Sequence, residues 1–212
     1  PLPECDRAEI CRTGGGGSGS AMPVNRSLHL LPSLRRISRG CAAAVVLLGL
    51  FVLLGWAGDI VALQGIVAGW PTMKVNTALC FVLAGLSLLA WQHVLRVGVA
   101  GAGLMRAAAL ATAFLVLVVA AVTLAENLID WDPGLDRLFF PHVQATDAAS
   151  PGRMSMATAA LFVLSGIALM LFSGMRRAIG IAQACALVTL LLALLALLSY
   201  LLGADLGQVG PF

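Results

Sequence analysis

Long apolar segments separated by short polar stretches dominate this chain. Five of them reach or approach the roughly 20 residues that a helix needs to cross the hydrocarbon core of a bilayer. The second and fourth segments are the shortest. The pattern therefore predicts an all-α fold, a polytopic transmembrane helix bundle with five spans. The predicted spans are residues 41–63, 75–91, 104–125, 157–172 and 181–202.

The second and fourth segments are copies of each other. Residues 73–89 read MKVNTALCFVLAGLSLL and residues 154–170 read MSMATAALFVLSGIALM. Eight of the seventeen positions are identical at a constant offset of 81, without a gap. Apolar composition alone would not align Met, Thr, Phe and Gly in register. The chain is therefore built from a duplicated unit that contains a membrane helix.

Composition excludes a soluble domain. The chain is 60 % hydrophobic and 11 % charged, with a mean hydropathy of +0.97, whereas about 25 % of the residues in a soluble domain are charged. The net charge of +3 is too small to indicate a nucleic-acid partner. The partner that composition indicates is the lipid bilayer.

Basic residues predict the orientation of the spans. Arginines occur in three clusters: one precedes the first span, one lies between the second and third spans, and one lies between the fourth and fifth. A chain with five spans places all three clusters on the same side of the membrane. The opposite loops are acidic on balance. By the positive-inside rule the N-terminus is cytoplasmic. The clusters are Arg26, Arg35, Arg36 and Arg39, then Arg96 and Arg106, then Arg176 and Arg177.

Local composition divides the chain into four parts. Residues 14–20 read GGGGSGS, a flexible linker, so we interpret residues 1–21 as a fused peptide and linker. A basic cytoplasmic segment, 22–40, precedes the membrane domain, 41–205. Residues 206–212 form a stub on the outer side.

Each copy of the repeat carries one oblique stripe of residues at a spacing of four. Such a row drifts by about 40° per step around a helix. A glycine in the stripe permits close approach of another backbone, and a threonine can bond across helices. The stripes are either helix-packing seams or, in addition, the border of a ligand pocket at the outer rim. Their members are Met73, Thr77, Phe81 and Gly85, and Met154, Thr158, Phe162 and Gly166.

An acidic residue lies at the outer end of each outward-running span, namely Asp59, Glu126 and Asp205. Acids at helix C-termini are locally unfavourable. Either they are solvated in the headgroup region, or they form an outer rim with Met73 and Met154 that binds a cation or a positively charged ligand. The sequence does not indicate which metal such a rim would bind.

The sequence contains no recognisable catalytic set. A Ser-His-Asp combination, a phosphate-binding glycine loop and a Cys/His metal cluster are all missing from its motifs. We therefore assign no catalytic residue, expect no cofactor and do not expect this chain to be an enzyme. Asn76, at the rim of the second span, is interpreted as a helix N-cap.

The repeated motif resembles the N-terminal membrane sensor regions of bacterial histidine kinases and diguanylate cyclases. The resemblance rests on M-x-x-N-T-A-x-x-F-x-L-x-G at 73–85 and G-R-M-x-x-x-T-A-x-x-F-x-L-x-G at 152–166. It extends over roughly residues 41–205. Supporting stretches are A-E-N-L at 125–128, D-P-G-L-D at 132–136, P-G-R-M at 151–154 and S-Y-L-L-G at 199–203.

The resemblance implies a sensor domain of a signal-transduction protein in the bacterial inner membrane, here expected as a homodimer with an unknown ligand. In that family a further span and a cytoplasmic kinase or cyclase module follow, so we expect a sixth span. The alternatives are a small transporter or channel subunit, or a structural subunit of a membrane assembly. The centres of the spans, such as residues 45–54 and 190–198, contain no ionisable residue, which favours the sensor.

Overall fold

The computed structural model describes residues 24–58, 60, 63, 73–98, 102–129, 154–174 and 178–201. Within these residues the regular structure is helical and contains no strand. The helices are α1 (Val24–Ala57), α2 (Val75–Val97), α3 (Gly103–Ile129), α4 (Met156–Gly174) and α5 (Ile179–Leu201).

The predicted all-α membrane fold is confirmed. Four helices are long and apolar enough to cross a bilayer, and α4 contributes a shorter apolar stretch, Met156–Phe172. The first helix differs from its predicted span: α1 begins at Val24, inside the basic segment, and ends at Ala57. The four long stretches are Ser33–Ala57, Val75–Val97, Gly103–Ile129 and Ile179–Ser199.

The chain divides into two compact units, Pro1–Arg36 and Ile37–Phe212. Helix α1 begins in the first unit. The helix bundle belongs to the second unit.

Helix α3 packs against both α2 and α4, and α4 also contacts α5 and α2. Because lipid tails are as apolar as leucine, such contacts depend on close packing rather than on exclusion of water. Helix α5 is the most exposed of the long helices, since 6 % of its span is buried compared with 28–33 % for the others. One buried cluster joins α2, α3 and α4: Cys80, Val116, Ala120, Met154, Ala159 and Phe162.

Individual residues explain where α2 ends and where α4 begins. Gly98 ends α2 with a φ of +90°, a conformation that costs glycine little, and its N–H donates to the Val94 carbonyl. Ser155 caps α4, because its Oγ accepts a hydrogen bond from the Thr158 N–H at 3.2 Å. The interpretation of Asn76 as an N-cap is wrong: Lys74 holds that position, and its side chain makes no capping bond.

The repeat includes the helix before each copy. Buried positions of α1 recur in α3 at one constant offset along the chain, although few residue types match. In each copy the outer helix (α1 or α3) therefore presents the same face to the inner helix (α2 or α4). The matched buried pairs are Ala42 and Ala113, Gly49 and Ala120, Val52 and Thr123, and Gly55 and Glu126.

Candidate functional site

The two matched glycines lie where an inner helix meets the outer helix of its own copy. A Cβ added at Gly85 would lie 2.5 Å from Val46 Cγ2 and 3.0 Å from the Ala42 carbonyl oxygen. A Cβ added at Gly166 would lie 3.0 Å from the Leu117 Cα. A side chain at Gly85 would overlap Val46, and one at Gly166 would force the Leu117 backbone to move, so each glycine permits close contact between helices.

The phenylalanines of the same stripes join the two copies to each other. Phe81 and Phe162 pack edge to face, with ring centroids 5.1 Å apart and an interplanar angle of 76°. Each predicted stripe therefore contacts two helices. Its glycine faces an outer helix, and its phenylalanine faces the other inner helix.

The threonines of the two stripes are both half-buried. Thr158 lies in the first turn of α4, with its Oγ1 2.8 Å from the Ser155 Oγ. Its contacts are thus local to the beginning of the helix. Thr77 is half-buried in α2.

In each copy a hydrogen bond joins the outer helix to the backbone just before the inner helix begins. The end of the bundle where α2 and α4 begin is here named the Met end. Trp56 Nε1 donates to the Met73 carbonyl oxygen at 2.9 Å. Asn127 Nδ2 donates to the Met154 carbonyl oxygen at 3.4 Å, and to Thr123 at 2.9 Å. Trp56 and Asn127 are separated by the same offset that relates the buried positions of α1 and α3. The sequence repeat does not identify this pair, because tryptophan and asparagine share only a side-chain N–H.

The residues of the predicted acidic rim have different surroundings. Asp59 and Asp205 lie outside the described residues. Glu126 and Met154 are each only 1 % exposed, and Met73 is half-buried. Glu126 therefore lies inside the bundle and is not a solvated headgroup residue. Among the described residues, no group of three His, Cys, Asp or Glu side chains is arranged to hold a metal ion.

Three buried polar side chains lie toward the Met end of α2 and α3. Asn76 is 3 % exposed, Thr123 is 0 % exposed and Glu126 is 1 % exposed. At the matching positions of the repeat the chain has Ala157, which is exposed in α4, and Val52 and Gly55, which are buried in α1. The buried face of α1 thus packs without polar groups at the positions of Thr123 and Glu126.

The opposite end, here named the Arg end, carries a small polar network between α1 and α2. Arg39 Nε donates to Gln92 Oε1 at 3.2 Å, and Gln92 Nε2 donates to Ser38 Oγ at 2.8 Å. Nearby in α2, Trp91 packs edge to face on Phe172, with centroids 5.9 Å apart. In the sequence, Arg39 indicates only the orientation of the spans, and no pattern identifies Gln92.

Comparison with known protein families, with curated proteins and with solved structures finds no match. The described helices establish a multi-pass membrane protein.

Proposed function

We propose that this bundle is the membrane-embedded input domain of a bacterial signalling protein. It detects a periplasmic or membrane-borne signal and relays it as a helix displacement to a cytoplasmic output module outside this chain, a histidine kinase or diguanylate cyclase. The chain itself performs no catalysis. It lies in the inner membrane with a cytoplasmic N-terminus and acts as a homodimer.

The packed interior of the bundle is the main support for this proposal. Ala109, Ala113 and Ala159 are fully buried, and Gly85 and Gly166 bring backbones into contact. Within the apolar stretches of the described helices, charged side chains occur toward the ends, as with Arg106 and Glu126. A transporter is expected to have ionisable or unwound residues near mid-membrane.

Tightly packed helices suit a relay because they shift between discrete arrangements and do not deform continuously. The contact of Gly85 with α1 is the seam at which such a shift changes the packing of α1 against α2. The hydrogen bonds of Gln92 then connect the same two helices at the Arg end, where an output module would be reached. A signal drives the shift only by its differential affinity for the two packings.

The experiment uses the chain in proteoliposomes, with spin labels at Ile37 and Leu95, which are 62 % and 49 % exposed and lie toward the Arg end. Native cysteines are first replaced by alanine. Inter-label distances are measured by pulsed electron resonance across steps of pH, divalent salt and anionic lipid content. A second pair at Leu47 and Leu86, toward mid-membrane, serves as the matched control.

The three functional readings differ in outcome. An input domain changes the distance between the labels at Ile37 and Leu95 under one of these conditions and passes no solute. Flux of ions or fluorescent solutes contradicts the proposal and supports a transporter or channel. Neither displacement nor flux under any condition supports a structural subunit.

A further inference from the structure

The register of α2 and α3 brings the buried polar residues Asn76, Thr123 and Glu126 within about two turns of one another along the bundle. The two helices run antiparallel, and Ser87 Oγ donates to the Ala109 carbonyl oxygen at 2.9 Å. Both helices have the same rise per residue, and Asn76 precedes Ser87 by as many positions as Ala120 follows Ala109. Asn76 is therefore level with Ala120. Thr123 lies one turn closer to the Met end, and Glu126 follows one turn later.

These side chains also lie on facing sides of the two helices. Asn76, Cys80 and Ser87 share one stripe of α2, because spacings of four and seven return to the same face. Ser87 and Cys80 identify that face as the one toward α3. On α3, Thr123 and Glu126 are three residues apart and are therefore neighbours on the helix surface.

The tilt of the side chains brings Asn76 and Glu126 closer together. In a helix each Cα–Cβ bond leans toward the N-terminus. Asn76 therefore leans toward the Met end, where α2 begins, whereas Glu126 leans toward the middle of the bundle. The two side chains approach the level of Thr123 from opposite directions.

The duplication acts as an internal control for what the fold requires. Helix α1 packs the positions of Thr123 and Glu126 with Val52 and Gly55, so polar groups are dispensable for packing there. Asn76 has no buried counterpart, because Ala157 in α4 is exposed. Polar groups inside a membrane bundle are costly. Their presence where α2 of one copy faces α3 of the other indicates a role specific to this interface.

We propose that Asn76, Thr123 and Glu126 form a binding site for a hard metal cation, an alkali or alkaline-earth ion. The site offers a carboxylate, an amide carbonyl and a hydroxyl oxygen, the donors that such cations prefer. Thr123 Oγ1 donates its proton to the Val119 carbonyl at 3.0 Å, which leaves the oxygen lone pairs for a cation. The site does not use the thioethers of Met73 and Met154, and it does not depend on the proposed sensory function.

The test is thermal melting of the purified chain in detergent, in chloride salts of sodium, potassium, magnesium and calcium. N-methylglucamine chloride keeps the ionic strength constant. A cation that binds the folded state raises Tm in a concentration-dependent manner. We expect one of the four cations to do so. Equal melting in all salts overturns the proposal.

Three variants then locate the site: Asn76→Ala, Thr123→Val and Glu126→Gln. Each should weaken the cation response by about tenfold or more. Thr123→Val installs the residue found at the matching buried position, Val52, and Asn76→Ala installs a good helix former, so both are expected to fold even if Glu126→Gln does not. Helical circular dichroism without the cation checks this.

Thr112→Val is the matched control. Thr112 Oγ1 also donates to a carbonyl of its own helix, that of Ala108, at 2.8 Å, but it lies three turns from Thr123. Its cation response should equal that of the wild type. An unchanged response in all three site variants contradicts the proposal. A cation that stabilises the bundle without moving the labels at Ile37 and Leu95 supports this site, and the sensory function is then decided by the pH and lipid steps of the label experiment.

Discussion

Phe81 and Phe162 hold the same position in the two copies of the repeat, and their rings meet edge to face at 5.1 Å. Trp91 and Phe172, ten residues further along each helix, are likewise equivalent and in contact. Equivalent residues meet in this way when two parallel helices are related by rotation about an axis between them. The duplicated helices thus form the central pair of the bundle.

The first prediction concerns this central contact. Phe81→Leu and Phe162→Leu should each destabilise the bundle, and the double variant should lose less than the sum of the two. The coupling should be about 0.5–1.5 kcal/mol, as for other aromatic pairs. A double-mutant cycle in denaturant, in mild detergent, measures it. Strict additivity would contradict an energetic role for the ring contact.

The second prediction concerns the matched glycines. Gly85→Leu and Gly166→Leu should each destabilise the bundle by about 1–3 kcal/mol, because the added side chain meets Val46 or the Leu117 backbone. Thermal melting in detergent measures the loss. Gly40→Leu is the control, since a Cβ at Gly40 meets nothing within 4 Å. Unchanged melting of both variants would show that the glycines face lipid.

The third prediction concerns the hydrogen bonds at the Met end. Trp56→Phe removes the bond to the Met73 carbonyl and should cost about 0.5–1.5 kcal/mol. Hydrogen exchange of the first turn of α2 should also rise. Trp91→Phe is the control, because the buried Trp91 Nε1 has no hydrogen-bond partner in the described part of the chain. Equal losses from the two substitutions would contradict the prediction.

The fourth prediction concerns orientation. Single cysteines are placed at Val97, near the Arg end, and at Met156, near the Met end, in a background without other cysteines. Both positions are more than half exposed. In spheroplasts an impermeant maleimide should label the Met156 site at once and the Val97 site only after lysis. The reverse pattern would place the arginine clusters outside.

The sequence by itself determined the membrane class, the helices and the duplication. Each of these depends on properties that are read along the chain, namely apolar length and a fixed offset between Met73 and Met154. The boundaries of α1 were less well predicted. Helix formation extends into the basic segment from Val24, because arginine is a good helix former and lets the helix continue beyond its apolar stretch.

Only the tertiary structure decided which residues meet. The correspondence of α1 with α3 is invisible in the sequence, because lipid-facing positions accept almost any apolar residue and only the buried face is constrained. The pairing of Trp56 with Met73, and of Asn127 with Met154, depends on where helix ends meet in space. The burial of Glu126 likewise follows from the register of α2 against α3. Chain position alone placed it at a rim, but side chains from neighbouring helices set its actual environment.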